Sequence, residues 1–168
     1  MIVDLGCGDA KRGDIGIDRV PLPGVDLVCD LGFEPIPLPD DHAEAVVAYD
    51  FLEHLPGPIS WREGGRWHHH NPRIQLLREV YRILRPGGTF FSHTPAYEPL
   101  DRNLPEGYLW AQDPTHAAPP WTMATWKYFC GEYAHLNARY GIDFAFDLVS
   151  ATYHDGYLDV TVRKPALR

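Results

Sequence analysis

At 168 residues, with 45% hydrophobic residues and a formal charge of −8, the chain has the size and balance of one globular domain, taken as residues 1–168. An acidic surface opposes attraction to phosphate backbones, so nucleic acid is the weaker partner class. No apolar run approaches a bilayer-crossing length and Met1-Ile2-Val3 enters a motif without a signal segment, so a cytoplasmic protein with no membrane partner is expected. Cys7, Cys29 and Cys130 are odd in number and lack C-x-x-C spacing, which argues against a disulfide framework and a cysteine zinc site.

In chain order, Ile2-Val3-Asp4-Leu5 runs into Gly6-Cys7-Gly8, Ile15-Gly16-Ile17 into Asp18, and Val25 to Cys29 into Asp30. A fourth apolar run, Ala45 to Tyr49, precedes the charged stretch Asp50-Phe51-Leu52-Glu53-His54. Four short buried strands ending in polar loops predict a parallel sheet with its ligand at the carboxyl edge. Residues 56–71 are expected to form a loop insert, with His68, His69 and His70 exposed in it, and no metal site is expected.

The spacing predicts a helix over 72–85, where Ile74, Leu77, Val80, Tyr81 and Leu84 share a face. Asn71 suits its N-cap, Pro72 its first turn, and Pro86-Gly87-Gly88 stops it before a strand at Thr89 to Ser92. Residues 95–121 read as a second, Pro-rich insert. Thr122 then suits the cap of a helix carrying Trp126 and Phe129, with a second helical piece before Gly141. Alternation through Ile142, Phe144, Phe146 and Leu148, a turn at Asp155-Gly156, and alternation through Leu158, Val160 and Val162 predict an antiparallel hairpin.

The glycines after the first strand allow close backbone approach to a ligand. A dinucleotide fingerprint would need a third glycine where Lys11 stands and an acid much later than Asp18, so that reading fails. Asp4, Asp18 and Asp30 lie instead along one sheet edge, where carboxylates suit a ligand offering hydroxyls, an exocyclic amine and an ammonium.

Val3-Asp4-Leu5-Gly6-Cys7-Gly8-Asp9 resembles motif I of the class I S-adenosylmethionine-dependent methyltransferases, and Leu76 to Gly88 resembles their helix leading into strand five. Pro37 to Leu55, with its Leu-Glu-His-Leu loop, resembles their approach to and exit from strand four. The resemblance implies an α/β, Rossmann-like sheet of order 3-2-1-4-5-7-6, mostly parallel with a C-terminal antiparallel hairpin. It also implies S-adenosyl-L-methionine as cofactor. Gly6 and Gly8 would border its methionyl part, with Tyr49 nearby, and Asp4 and Cys7 are expected among the cofactor-binding residues. Asp18 would hold the ribose hydroxyls, and Asp30 with the Leu31 backbone would meet adenine. Lys11 to Asp14 leaves almost no room for the family's first helix, so that helix is expected to be shortened. The sequence starts at strand one without the helix that commonly precedes it in the family, so the site is expected to be open or covered by a second copy or a partner chain.

On the acceptor side, His54, His116 and Asp113 are the candidate catalytic residues, because a histidine titrating near neutrality can take a proton from a hydroxyl or an amine. Tyr97, Tyr108, Trp110 and Trp121 would wall the acceptor. The acidic charge and the Leu-Glu-His-Leu loop favour a small-molecule or glycan acceptor. Methylation of nucleic acid is the next reading, although neither an Asn/Asp-Pro-Pro-Tyr/Phe segment nor a Pro-Cys nucleophile is present. A catalytically idle cofactor-binding module is the third.

Overall fold

The structure, a computed structural model, describes residues 1–97 and 113–166. Its main sheet is built from β1 (Ile2–Leu5), β2 (Ile15–Asp18), β3 (Leu27–Val28), β4 (Ala43–Tyr49), β7 (Leu84–Pro95), β8 (Asp147–His154) and β9 (Tyr157–Arg163). These strands lie in the order β3-β2-β1-β4-β7-β9-β8. The first five are parallel, and β9 runs antiparallel to both β7 and β8. Since β7, β8 and β9 are the fifth, sixth and seventh strands of this sheet, the order is the expected 3-2-1-4-5-7-6.

Helix α1 (Pro72–Ile83) starts as the sequence suggests, with the Asn71 side chain accepting the Ile74 N–H. It stops two residues early because Leu84 is already extended and pairs with Ala43. Helix α2 (Met123–Phe129) opens with a reciprocal capping box between Thr122 and Thr125. A short helix α3 (Ala134–Asn137) follows, and the left-handed Gly141 ends the helical piece after it.

Val3, Leu5, Val46, Ala48, Phe90, Leu158, Val160 and Val162 point from the sheet into one buried cluster with Leu76, Leu77, Val80 and Ile83 of α1 and Trp126 and Phe129 of α2. The other face carries Val47, Tyr49, Phe91 and His93, all half-buried. Where the family's first helix would lie, residues 9–14 form a loop. The buried Asp4 carboxylate accepts the Arg12 N–H at 2.6 Å, and the Asp14 carboxylate accepts the Ile2 N–H at 2.7 Å. Arg12 in turn sits 4.4 Å over the Tyr49 ring, covering part of that second face with a guanidinium.

Three expectations need correction. Residues 56–71 are not an irregular loop, because β5 (Ile59–Glu63) and β6 (Arg66–His70) pair as an antiparallel hairpin. Gly64 and Gly65 form its two-residue turn with φ of 56° and 82°, the twist that such hairpins favour. The alternating segment Ile142 to Phe146 does not pair as a strand, since β8 begins only at Asp147. Its Phe144 and Phe146 instead pack on Tyr81 of α1. Trp121 is a core residue rather than an acceptor wall: it is 1% exposed, its N–H donates to the Leu52 carbonyl at 2.7 Å, and its ring meets Trp126. Tyr108 and Trp110 lie outside the described residues.

Candidate active site

At the carboxyl edge of β1, β2 and β4 lies a cleft of about 590 Å³. Gly6, Asp18, Asp30 and Leu31 line it, together with Phe33, Asp50, Phe51 and His54. The volume is that of a small-ligand site. Gly6 has a φ of +66°, and a Cβ there would collide with the Phe51 ring, so both the turn and the close approach require glycine.

Asp18 accepts the Gly8 N–H at 3.1 Å and the Val20 N–H at 3.0 Å while bordering the cleft. It therefore supports the turns on either side of β2, and each oxygen keeps a second lone pair for a ligand hydroxyl. Asp30 receives the Phe33 and Glu34 N–H groups on its carbonyl, and its own N–H meets the Glu34 carboxylate at 3.0 Å. Its side chain stays exposed at the cleft.

Asp4, Cys7, Gly8 and Tyr49 are not among the lining residues. Asp4 is turned to the loop it anchors, Gly8 reaches Asp18, and Tyr49 lies under Arg12. Cys7 is buried, and burial among the carboxylates of Asp4 and Asp18 pushes its thiol up to about 11. A thiol so raised packs rather than attacks.

A second cleft of about 510 Å³ adjoins the first and shares Asp50 and His54 with it. The remaining lining residues are Glu53, Pro95, Asp113, Pro114, His116 and Tyr157. All three candidate catalytic residues thus meet in one place. His54 lies on the 3-10 turn Leu52–His54, its ring 5.1 Å from that of His116. Its Nδ1 is 3.0 Å from the Thr115 hydroxyl, which is also 2.7 Å from the Asp113 carboxylate. The two hydrogen bonds that Thr115 gives it hold Asp113 below the usual carboxylate range.

Sequence reasoning missed two residues. Glu53 is 1% exposed, and among the described residues its carboxylate has no hydrogen-bond partner outside its own backbone N–H, which works against a rise in its pKa. Burial above all, with Asp50 and Asp113 adding to it, raises its pKa to about 8. The signal was present in Leu-Glu-His-Leu, but an acid next to a histidine on a tight turn reads as solvent-facing. Arg73 is the other: buried with no carboxylate partner among the described residues, it donates to the carbonyls of Leu55, Ala117 and Pro119 and ties the 113–121 segment to the turn carrying His54. Desolvation lowers its pKa to about 10. Ala117 N–H closes the same junction on the Glu53 carbonyl at 2.7 Å.

A family model described as a methyltransferase domain matches residues 16–92. A probable S-adenosylmethionine-dependent methyltransferase from Mycolicibacterium smegmatis is 30% identical over 112 residues, covering 56% of this chain and 37% of the relative. The chain therefore spans well under half the length of that curated relative. Among solved structures, a putative methyltransferase from Haloferax volcanii in complex with the Trm112 methyltransferase activator shares the fold at a TM-score of 0.58 and 16% identity, covering 99% of this chain and 82% of that one. An S-adenosylmethionine-dependent methyltransferase from Methanosarcina mazei does so at 0.58 and 14%, covering 99% and 92%. Residues 16–92 thus match a methyltransferase domain, and the strand order 3-2-1-4-5-7-6 is the one that the resemblance to class I S-adenosylmethionine-dependent methyltransferases implies. Among the described residues, no helix is long and apolar enough to cross a membrane.

Proposed function

We propose that the chain binds S-adenosylmethionine in the first cleft and transfers its methyl group to a small-molecule or glycan acceptor held in the second. The observation that carries this reading is the junction of the two clefts at Asp50 and His54, with the glycine turn and the strand-end acids on one side and His116 on the other. When bound, the sulfonium supplies an electrophilic methyl. The chain's own task is then to align an acceptor in line with it, which is where much of the rate of such a transfer originates.

Asp18 holds the ribose hydroxyls, Gly6 admits the ligand to the backbone, and Asp30 with Leu31 borders the adenine. His54 and His116 face the acceptor, where a neutral imidazole takes the proton that a hydroxyl or ammonium acceptor must lose. An acidic chain with two adjoining clefts suits a compact acceptor better than a phosphate backbone.

Titration calorimetry with S-adenosylhomocysteine on three proteins tests the assignment. Asp18→Ala is expected to weaken binding by about 1.5–3 kcal/mol, the worth of hydrogen bonds to a charged group. Asp14→Ala is expected to lower thermal stability, through the lost Ile2 contact, while binding as the wild type does. Equal affinity for wild type and Asp18→Ala would remove Asp18 from the cofactor site.

A further inference from the structure

We propose that Glu53, His54 and His116 form a binding site for a divalent transition cation, of the zinc or manganese class, with open coordination positions facing the second cleft. A donor atom from each of the three lies within 4.8 Å of the others. In a four-coordinate site with metal–ligand distances of about 2.0–2.2 Å, neighbouring donors sit roughly 3.3 Å apart, so small side-chain rotations close the set around an ion.

Three features favour a ligand set over a chance cluster. First, Glu53 is 1% exposed, lines the cleft, and leaves both carboxylate oxygens without a hydrogen-bond partner outside its own backbone N–H among the described residues. A buried polar group in that state is costly unless something outside the chain satisfies it.

Second, the tautomer of His54 is set. The Thr115 hydroxyl has a single proton, which it donates to Asp113 at 2.7 Å, so the bond of 3.0 Å to His54 must run from Nδ1–H to the hydroxyl oxygen. The lone pair of a neutral His54 is therefore on Nε2, ready to ligate. Third, Asp113 reaches the His54 ring through the Thr115 hydroxyl, and its carboxylate lies 3.8 Å from His116 Nε2, a charge contact rather than a hydrogen bond. Outer partners of this kind orient metal-binding imidazoles and raise their basicity.

Two imidazoles and one carboxylate, with no thiolate, suit divalent zinc, iron or manganese rather than copper(I) or calcium, and zinc and manganese are the redox-stable probes of that set. Three protein ligands leave positions for an acceptor oxygen, whose proton the cation makes easier to lose to solvent; in the metal-bound chain the two imidazoles are ligands, and this role replaces proton removal by His54 or His116. That role rests on the methyltransferase reading, but metal binding itself does not. A second cluster, His93, His154 and Asp159, is comparably close. Its carboxylate already serves both rings, at 2.5 and 2.7 Å, so it has no orphaned donor and supplies the control.

The test is calorimetric titration of chelator-treated full chain with zinc chloride and with manganese chloride, followed by the visible spectrum of the cobalt(II) complex. The wild type is expected to take up one equivalent and to give cobalt bands of nitrogen and oxygen ligation. Glu53→Gln and His116→Ala should bind roughly 100-fold more weakly, with S-adenosylhomocysteine affinity kept, while His154→Ala binds metal as the wild type does. Absence of uptake by the wild type, wild-type affinity in Glu53→Gln, or loss in His154→Ala instead would overturn the site. Should Glu53→Gln fail to fold, the wild-type cobalt spectrum decides, because a spectrum of hexa-aquo cobalt also overturns it. Metal uptake by a chain without S-adenosylhomocysteine affinity would refute the methyltransferase reading and leave the metal site standing.

Discussion

At Gly6 two constraints coincide, a φ of +66° and a Phe51 ring where a Cβ would stand. Gly6→Ala is therefore expected to cost about 1–3 kcal/mol in urea denaturation and to abolish cofactor binding, since relief of the collision moves the turn that lines the cleft. Glu53 makes a different prediction. Its folded pKa of about 8 lies above the unfolded value near 4.5, so between those pH values the folded state of the metal-free chain holds a proton that the unfolded state has released. The stability from this group is fully present below pH 4.5 and is lost as pH rises to about 8, with a slope approaching 1.4 kcal/mol per pH unit, an order-of-magnitude figure. Urea denaturation of chelator-treated protein across this range checks it: the stability gap between wild type and Glu53→Gln should shift in favour of the variant as pH rises. A constant gap would mean that Glu53 titrates normally. Nothing at single-residue resolution in the sequence announced this burial, nor that Asp4 would anchor a loop: both depend on which way a turn faces.

At the scale of elements, Arg73 joins the Ala117 and Trp121 hydrogen bonds in tying the segment that carries Asp113 and His116 to the turn that carries His54. One guanidinium from α1 serves three carbonyls on two loops. Arg73→Ala leaves those carbonyls buried and unpaired, so a loss of about 2–4 kcal/mol is expected, with His116 displaced from His54 as well. Fluorine NMR or histidine ring shifts would register that displacement. Unchanged His116 signals in a folded Arg73→Ala would show that the loop positions itself. Helix α1 and the C-terminal hairpin were legible because capping residues, proline and period-two alternation act locally. The β5–β6 hairpin was equally local, written in Gly64-Gly65 between alternating residues, but the three histidines drew attention away from it. Unpaired Ile142 to Phe146 was not legible, because its alternation reflects burial against Tyr81 rather than strand pairing.

For the molecule as a whole, motif order carried the fold: glycine turn, second-strand acid, Leu-Glu-His-Leu and Pro-Gly-Gly occur in sequence, and the sheet assembles them in the order implied. The short β1–β2 connection was legible as well, since the four residues left between the glycine turn and β2, Lys11 to Asp14, cannot form a crossover helix. Which of the motif residues would reach the cleft was not, because Gly6 and Gly8 are alike in sequence and differ only in what the chain folds against them. The net charge of −8 makes a global prediction. Fluorescence anisotropy with duplex DNA should show no saturable binding at about 0.15 M salt, and tight, salt-dependent binding would turn the acceptor assignment toward nucleic acid.

The central claim, that the glycine turn and strand-end acids form an adenosyl-amino-acid site rather than a dinucleotide site, is tested most directly by calorimetric titration of the chain with S-adenosylhomocysteine and, separately, with NAD. The account predicts saturable S-adenosylhomocysteine binding at one equivalent and no measurable heat from NAD. Saturable NAD binding without affinity for S-adenosylhomocysteine would contradict it.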